Sequence, residues 1–269
     1  MIIYCDGPRE PGDHALVTET RNVARETLGP RAEYHHSDSN LGLARSVIGG
    51  VTDVVARFGR VIVIEDDLDV APNFLRFLNA ALNRYQFNDN VYQVSGYSVD
   101  APEIVARSRA IFLPFTVSWG WATWSRAWER FDPQARGAES LKRDRVLRQR
   151  FNLDGIVDYS SMLEKQCNGL IDSWAIRWYW SVFLANGLVL FPPKSLVANT
   201  GLDGSGTHGR GWIRRLQCAY VDKAHGDILF PDSIAIDPDD YAAIKRTVYQ
   251  KNGGRLAHGI DLVRRFMRI

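Results

Sequence analysis

The chain has few cysteines, almost no net charge and no long apolar run. Cys5, Cys167 and Cys218 are three in 269 residues. An odd number without metal-type spacing argues against a disulfide framework or a cysteine metal site, and reads as reduced, cytosolic thiols. The formal charge is +2, with Lys and Arg spread along the chain, which argues against nucleic acid as a main partner. The longest greasy stretch, Trp178 to Phe191, is broken by Ser181 and Asn186 and is too short to cross a bilayer. Asp6, Pro8 and Arg9 near the start do not suit a signal peptide. No internal repeat is visible. The expectation is a soluble, cytoplasmic protein, or one held peripherally at the inner face of a membrane. With 45% apolar and 24% charged residues, the chain has material for one large domain or one and a half.

The most informative segment is Val61-Ile-Val-Ile-Glu-Asp-Asp-Leu68. Its β-branched residues predict a strand buried on both faces, as parallel strands are. Carboxylates at such a strand's end cannot be buried unpaired, so Glu65, Asp66 and Asp67 should meet solvent or a cation. Ligands of open parallel sheets bind at that end. Two readings stand at this point: a divalent metal site holding an anionic ligand, and an acidic turn leading into a helix.

Around this segment strands and helices alternate. Ile2 to Cys5 reads as a strand ending in the Asp6-Gly7-Pro8 turn, 13–28 as a helix and 32–36 as a strand. Ala44, Val47, Ile48, Val51, Val54, Val55 and Phe58 form a helical stripe stopped by Gly59. Pro72 suits a first helical turn before the face of Phe74, Leu78, Ala81, Leu82 and Tyr85, and Val91 to Ser95 reads as a strand. The alternation predicts a mostly parallel sheet with helices on both sides. Farther on, helices are expected over 125–131, 140–151, 158–168 and 174–186, and a strand over 188–191. Trp119, Trp121, Trp124 and Trp128 cluster, as do Trp174, Trp178 and Trp180. Asn199 to Gly211 holds five glycines with Ser205, Thr207, His208 and Arg210, a composition suited to a loop that closes over a ligand.

In order along the chain, Asp6, Asn40-Leu-Gly-Leu-Ala-Arg45, Val63-Ile-Glu-Asp-Asp-Leu-Asp-Val-Ala-Pro-Asn-Phe74 and Val94-Ser-Gly96 resemble the nucleotide-sugar-dependent glycosyltransferases of the GT-A fold. The particular similarity is to N-acetylglucosaminyltransferase I and its bacterial relatives. Ser118-Trp-Gly-Trp121, Ile171-Asp-Ser-Trp174 and Gly204-Ser-Gly-Thr-His-Gly209 resemble further segments of that family. The resemblance implies a GT-A-like, Rossmann-like three-layer α/β sandwich. It implies that Asp67 ligates Mn²⁺ or Mg²⁺, with Glu65 and Asp66 on the ribose, uracil end or metal waters. It further implies that Asp6 meets the uracil, Arg45 lies near the ribose or diphosphate, His208 sits near the diphosphate, and Asp172 is the general base. Trp121 is counted among the donor contacts. The partners implied are a UDP-sugar and a glycan or lipid-linked glycan acceptor, in cell-surface polysaccharide synthesis.

Each of these residues also has a plainer reading. Asp172 could cap a helix, Asp6 could be a turn residue, and Trp119 and Trp121 could be core packing. Arg45 could be a solvated helix residue and His208 an exposed loop histidine; His35 and His36 have no assigned role. The expected division is a nucleotide-sugar-binding half over 1–110, an acceptor-binding and catalytic half over 111–235, and a helical tail over 236–269. The family begins with one more strand and helix beside the strand ending in Asp6. Here Met1 leads straight into Ile2-Ile3-Tyr4, so that strand is expected to be missing. In the tail, Leu256, Ile260, Val263 and Met267 with Arg255, Arg264, Arg265 and Arg268 suit either an interfacial helix or one packed on the domain. The alternatives are a Mg²⁺-dependent nucleotidyltransferase, which would carry a Gly-rich basic loop not visible here, and a binding protein that keeps the fold without turnover.

Overall fold

A computed structural model describes residues 1–201 and 227–252. His208, Cys218 and the amphipathic stripe of the tail lie outside the described residues. The chain opens with β1 (Ile2–Cys5), α1 (His14–Leu28), β2 (Glu33–His36), α2 (Leu43–Phe58) and β3 (Arg60–Val63). The stripe read in α2 is the face that packs inward, with Ala44, Val51 and Val55 buried. Gly59 ends the helix at φ 72°, its N–H donating to the Val55 carbonyl, as a left-handed cap does.

β1 and β2 run parallel in a small sheet of their own, in the register Ile2 to Glu33 through Cys5 to His36. No residue of β1, α1 or β2 is fully buried. Polar ties hold this unit to the rest: the Tyr4 hydroxyl donates to Asp53 at 2.5 Å and Arg57 pairs with Glu33 at 2.7 Å. Tyr4 also lies against Gly50 of α2.

After β3 come β4 (Leu68–Val70), α3 (Phe74–Arg84), β5 (Val91–Ser95), α4 (Pro102–Val105), β6 (Ile111–Leu113), β7 (Trp121–Trp124) and α5 (Ser125–Trp128). Then follow α6 (Ser140–Arg143), α7 (Arg145–Phe151), α8 (Tyr159–Cys167), α9 (Trp174–Leu184), β8 (Leu188–Phe191), β9 (Val197–Asn199) and α10 (Pro238–Lys251). The main sheet has the order β3-β7-β5-β8-β6. It is mixed, which corrects the expected mostly parallel sheet. β5 and β8 are parallel, whereas β3 with β7, β5 with β7, and β6 with β8 are antiparallel. β7 leaves the turn at Gly120 and runs back between β3 and β5, where alternation of strands and helices gives no warning. β3 is also an edge strand rather than one buried on both faces. Val61 is buried, Ile62 and Val63 are half-buried, and Arg60 is exposed. The expected helix over 140–151 is split at Asp144, whose side chain accepts from the Leu147 N–H and starts α7 anew.

The core lies between the main sheet and α9, where both tryptophan clusters meet. Trp121 stacks on Trp174 at 5.1 Å between centroids, and Trp128 lies 5.2 Å from Trp178. The Trp178 indole N–H donates to Gln93 Oε1 at 2.6 Å, and Gln93 Nε2 donates to the Val117 carbonyl at 2.7 Å. The fully buried Gln93 side chain in β5 is thereby satisfied. Two glycines close the sheet's working end. The Gly96 N–H donates to Gly120 O at 2.6 Å, and a Cβ on Gly96 would fall 2.4 Å from the Phe74 ring. Gly120, at φ 57°, leaves no room beside Val197 Cγ1, 2.8 Å from where its Cβ would stand. This close packing sets the 195–199 segment against β4, pairing Leu68 with Asn199.

Candidate functional site

Glu65, Asp66 and Asp67 follow the carboxyl end of β3, but they lead into β4 rather than into a helix. The Leu68 N–H donates to Glu65 O at 3.3 Å, closing a turn, and α3 starts only at Phe74. The reading as an acidic helix start is therefore corrected. Asp67 is fixed from β9 and the residues after it. Asn199 Nδ2 donates to Asp67 Oδ2 at 3.0 Å, and the Thr200 N–H and hydroxyl donate to Asp67 O at 2.8 and 3.0 Å. Gly201 lies so close that a Cβ there would stand 2.9 Å from Asp67 Oδ2. The other carboxylate oxygen, Oδ1, is buried without a hydrogen-bond partner among the described residues. Glu65 is half-buried. Burial first, then the charges of Asp67 and Asp66, push its pKa up to about 7.

An orphaned carboxylate oxygen among mutually repelling carboxyls fits a hard divalent cation. Such an ion takes oxygen ligands, often only one or two from protein, and leaves positions for phosphate and water. The fit is partial in number, since no group of three or more metal-ligating side chains converges among the described residues.

A second group gathers at the start of α2. Asp6 accepts from the backbone N–H groups of Gly7, Leu41 and Gly42 at 2.9, 2.7 and 3.0 Å. It ties the loop after β1 to the loop before α2. Arg21 adds to this by donating to Asp6 O and Ser37 O at 3.0 and 2.7 Å. Gly42, at φ 78°, carries no side chain toward Asp172, whose Oδ2 lies 3.6 Å from the point a Cβ would occupy. Asp172 is 62% exposed and faces Arg177 at 3.5 Å. Arg177 is mostly buried and is held by Ser173 O at 3.1 Å and Pro133 O at 3.2 Å. Burial pulls the Arg177 pKa down, and Asp172 opposes that shift. The cap of α9 is Ser173, whose Oγ accepts from the Ile176 N–H at 3.4 Å. Asp172 is thus left free of the capping role. Arg45 is exposed on the first turn of α2.

Trp121 is fully buried and stacked on Trp174, so no face of it is open to a ligand, and it belongs to the core. Trp119, by contrast, is half-buried and meets Tyr97 edge to face at 5.0 Å. Asn199, Thr200 and Arg177 were not singled out from the sequence. Asn199 stands at the head of the Gly-rich segment, which was the available signal. Arg177 gave none, because its reach back to Asp172 depends on the turn of α9. A cleft of about 750 Å³ between the 134–142 segment and α8 is lined by none of these carboxylates.

Among the described residues no helix is long and apolar enough to cross a membrane. No curated protein matches the chain. Residues 50–142 match the model of the GNT-I family, about a third of the chain, spanning Glu65 to Asp67 and Gly96 to Trp121 but not Asp6, Arg45 or Asp172. Over that stretch the chain is similar to the GNT-I family, which supports a GNT-I-like glycosyltransferase.

Proposed function

We propose that the chain is a metal-dependent, inverting glycosyltransferase of GT-A-like fold that moves a sugar from a UDP-sugar to an acceptor hydroxyl, in the synthesis of a surface glycan. The observation that carries the reading is the buried, unpartnered Oδ1 of Asp67 in the Glu65-Asp66-Asp67 turn, inside the segment similar to the GNT-I family. Asp67, with Glu65 or Asp66, would hold Mn²⁺ or Mg²⁺. A bound divalent cation offsets the negative charge that builds on a leaving diphosphate. Asn199 and Thr200 keep Asp67 in one orientation, so the ligand oxygen need not reorganise when donor arrives. Arg45, on the first turn of α2, suits the ribose or phosphate. Asp6 acts by holding the 41–42 loop, with any uracil contact made through its remaining lone pairs.

Asp172 takes the proton of the acceptor hydroxyl in this reading. Its exposure lets an acceptor reach it, and Arg177 holds the carboxylate beside the α2 terminus. Attack from the face opposite the leaving diphosphate inverts the anomeric carbon. His208 is proposed to approach the diphosphate. The division into a donor half over 1–110 and an acceptor half over 111–235 belongs to the same proposal. Incubation with a panel of UDP-sugars and Mn²⁺, reading UDP release with and without glycan acceptors, tests it. Acceptor-dependent release that Asp172→Asn abolishes supports the enzyme. Metal-dependent UDP binding with no release from any donor would favour a binding protein of this fold.

A further inference from the structure

A second cavity, of about 160 Å³, opens between α8, α9, α10 and the 115–119 segment. Its floor is made by Val99, Phe115, Leu153, Ile176 and Val248, all buried, and its rim by half-buried Trp119, Met162 and Ala175. Two of the polar groups in its wall are already engaged, and beside them the wall carries the hydroxyls of Thr116 and Ser118 in an otherwise mostly apolar lining. The Tyr179 hydroxyl donates to Phe151 O at 2.9 Å, and Val117 O accepts from Gln93 at 2.7 Å. A sugar ring placed here would lose water from its hydroxyls and find few partners. An apolar cavity of this size matches a benzene-sized guest. Its place along the chain matters as much. Ala175 and Ile176 follow Asp172 by three and four residues, within the first turn of α9.

We propose that this cavity binds the apolar aglycone of the acceptor, an aryl ring or a short branched alkyl group, while the acceptor's sugar hydroxyl lies toward Asp172. The pocket stands on its own walls; the acceptor role rests on the glycosyltransferase reading. Aromatic side chains of Trp119 and Phe115 suit a flat ring by offset or edge contact. The site would favour acceptors that carry such a group over the same sugar bearing a methyl group.

The test uses 4-fluorotoluene as probe, followed by fluorine NMR on the whole chain. Ala175→Leu and, separately, Thr116→Phe narrow the cavity from its half-buried rim, where the fold tolerates change best. Near-UV circular dichroism and UDP binding report whether each variant is folded. The expected result is saturable binding to the wild type that weakens by about tenfold or more in either folded variant. Phenyl glycosides should then show a KM about tenfold below the matching methyl glycosides, a difference the variants erase. No saturable probe binding, or binding that folded variants leave unchanged, overturns the pocket. Probe binding without any phenyl advantage overturns the acceptor role. Absence of transfer to every acceptor would sink the enzyme reading and the acceptor role with it, while the probe arm still decides the cavity.

Discussion

At Asp67 and Asp172, two carboxylates of similar sequence appearance are placed in different surroundings by their neighbours. Asp67 has one oxygen engaged by Asn199 and one buried and orphaned, an arrangement that is costly unless a cation or proton arrives. Asp172 is exposed and steadied by a buried arginine. Asp172→Asn keeps the shape and removes the proposed base, so kcat should fall by about 10² to 10⁴ while UDP affinity is unchanged. Steady-state kinetics beside a UDP titration would check both halves, and a variant with undiminished kcat would remove Asp172 from the chemistry. At this scale the sequence was only partly legible. The acidic run could be read directly. Whether Asp172 or Ser173 caps α9 could not, since either side chain can cap and only the geometry separates them. The donor contact that the resemblance implies for Trp121 is overturned for a related reason. An indole suits a sugar face and a core equally well, and burial by Trp174 is a tertiary fact.

Among the elements, the β1–α1–β2 unit differs from the rest. Its strands and helix bury no residue fully, so its stability depends on polar ties to α2 more than on packing. Native-state hydrogen exchange should show its amides opening at lower free energy than those of β5 and α9. Equal protection would show that the unit is locked to the core. Acid should loosen it further. The Arg57 hydrogen bond, followed by that of His35, holds the Glu33 pKa down at about 2, from an ordinary 4.5. A carboxyl with a lowered folded pKa contributes stability above its unfolded value, and that contribution is lost as pH falls from about 4.5 toward 2. Both partners are well exposed, so the loss is small and local. Glu33→Gln should reduce the acid-induced loss of protection in β2, taken as protection factors against intrinsic exchange, and an unchanged loss in the variant would assign the effect elsewhere, Asp53 being the next candidate. Gly120 gives a larger effect: Gly120→Ala meets both a positive φ and the Val197 side chain. It should cost about 2 kcal/mol or more in urea unfolding, and a neutral outcome would mean that the turn relaxes freely.

For the molecule as a whole, the existence of most strands and helices was legible from periodicity and glycine stops. Strand direction was not. Nothing local in Trp121–Trp124 says that it returns antiparallel between β3 and β5, because pairing is decided by the packing of Gly96 against Gly120 and by the tryptophan core. The same packing sets β9 beside β4, and so supplies Asn199 and Thr200 to Asp67 from a point far along the chain. The candidate metal turn therefore depends on the folded whole rather than on the acidic run alone. The central consequence of the proposed function is that nucleotide, cation and Asp67 would be coupled. Calorimetric titration of UDP into the whole chain, with Mn²⁺ and with EDTA, in the wild type and in Asp67→Ala, tests this most directly. Binding should appear only with Mn²⁺ and only when Asp67 is present, whereas UDP binding that survives EDTA or the loss of Asp67 would contradict the metal site.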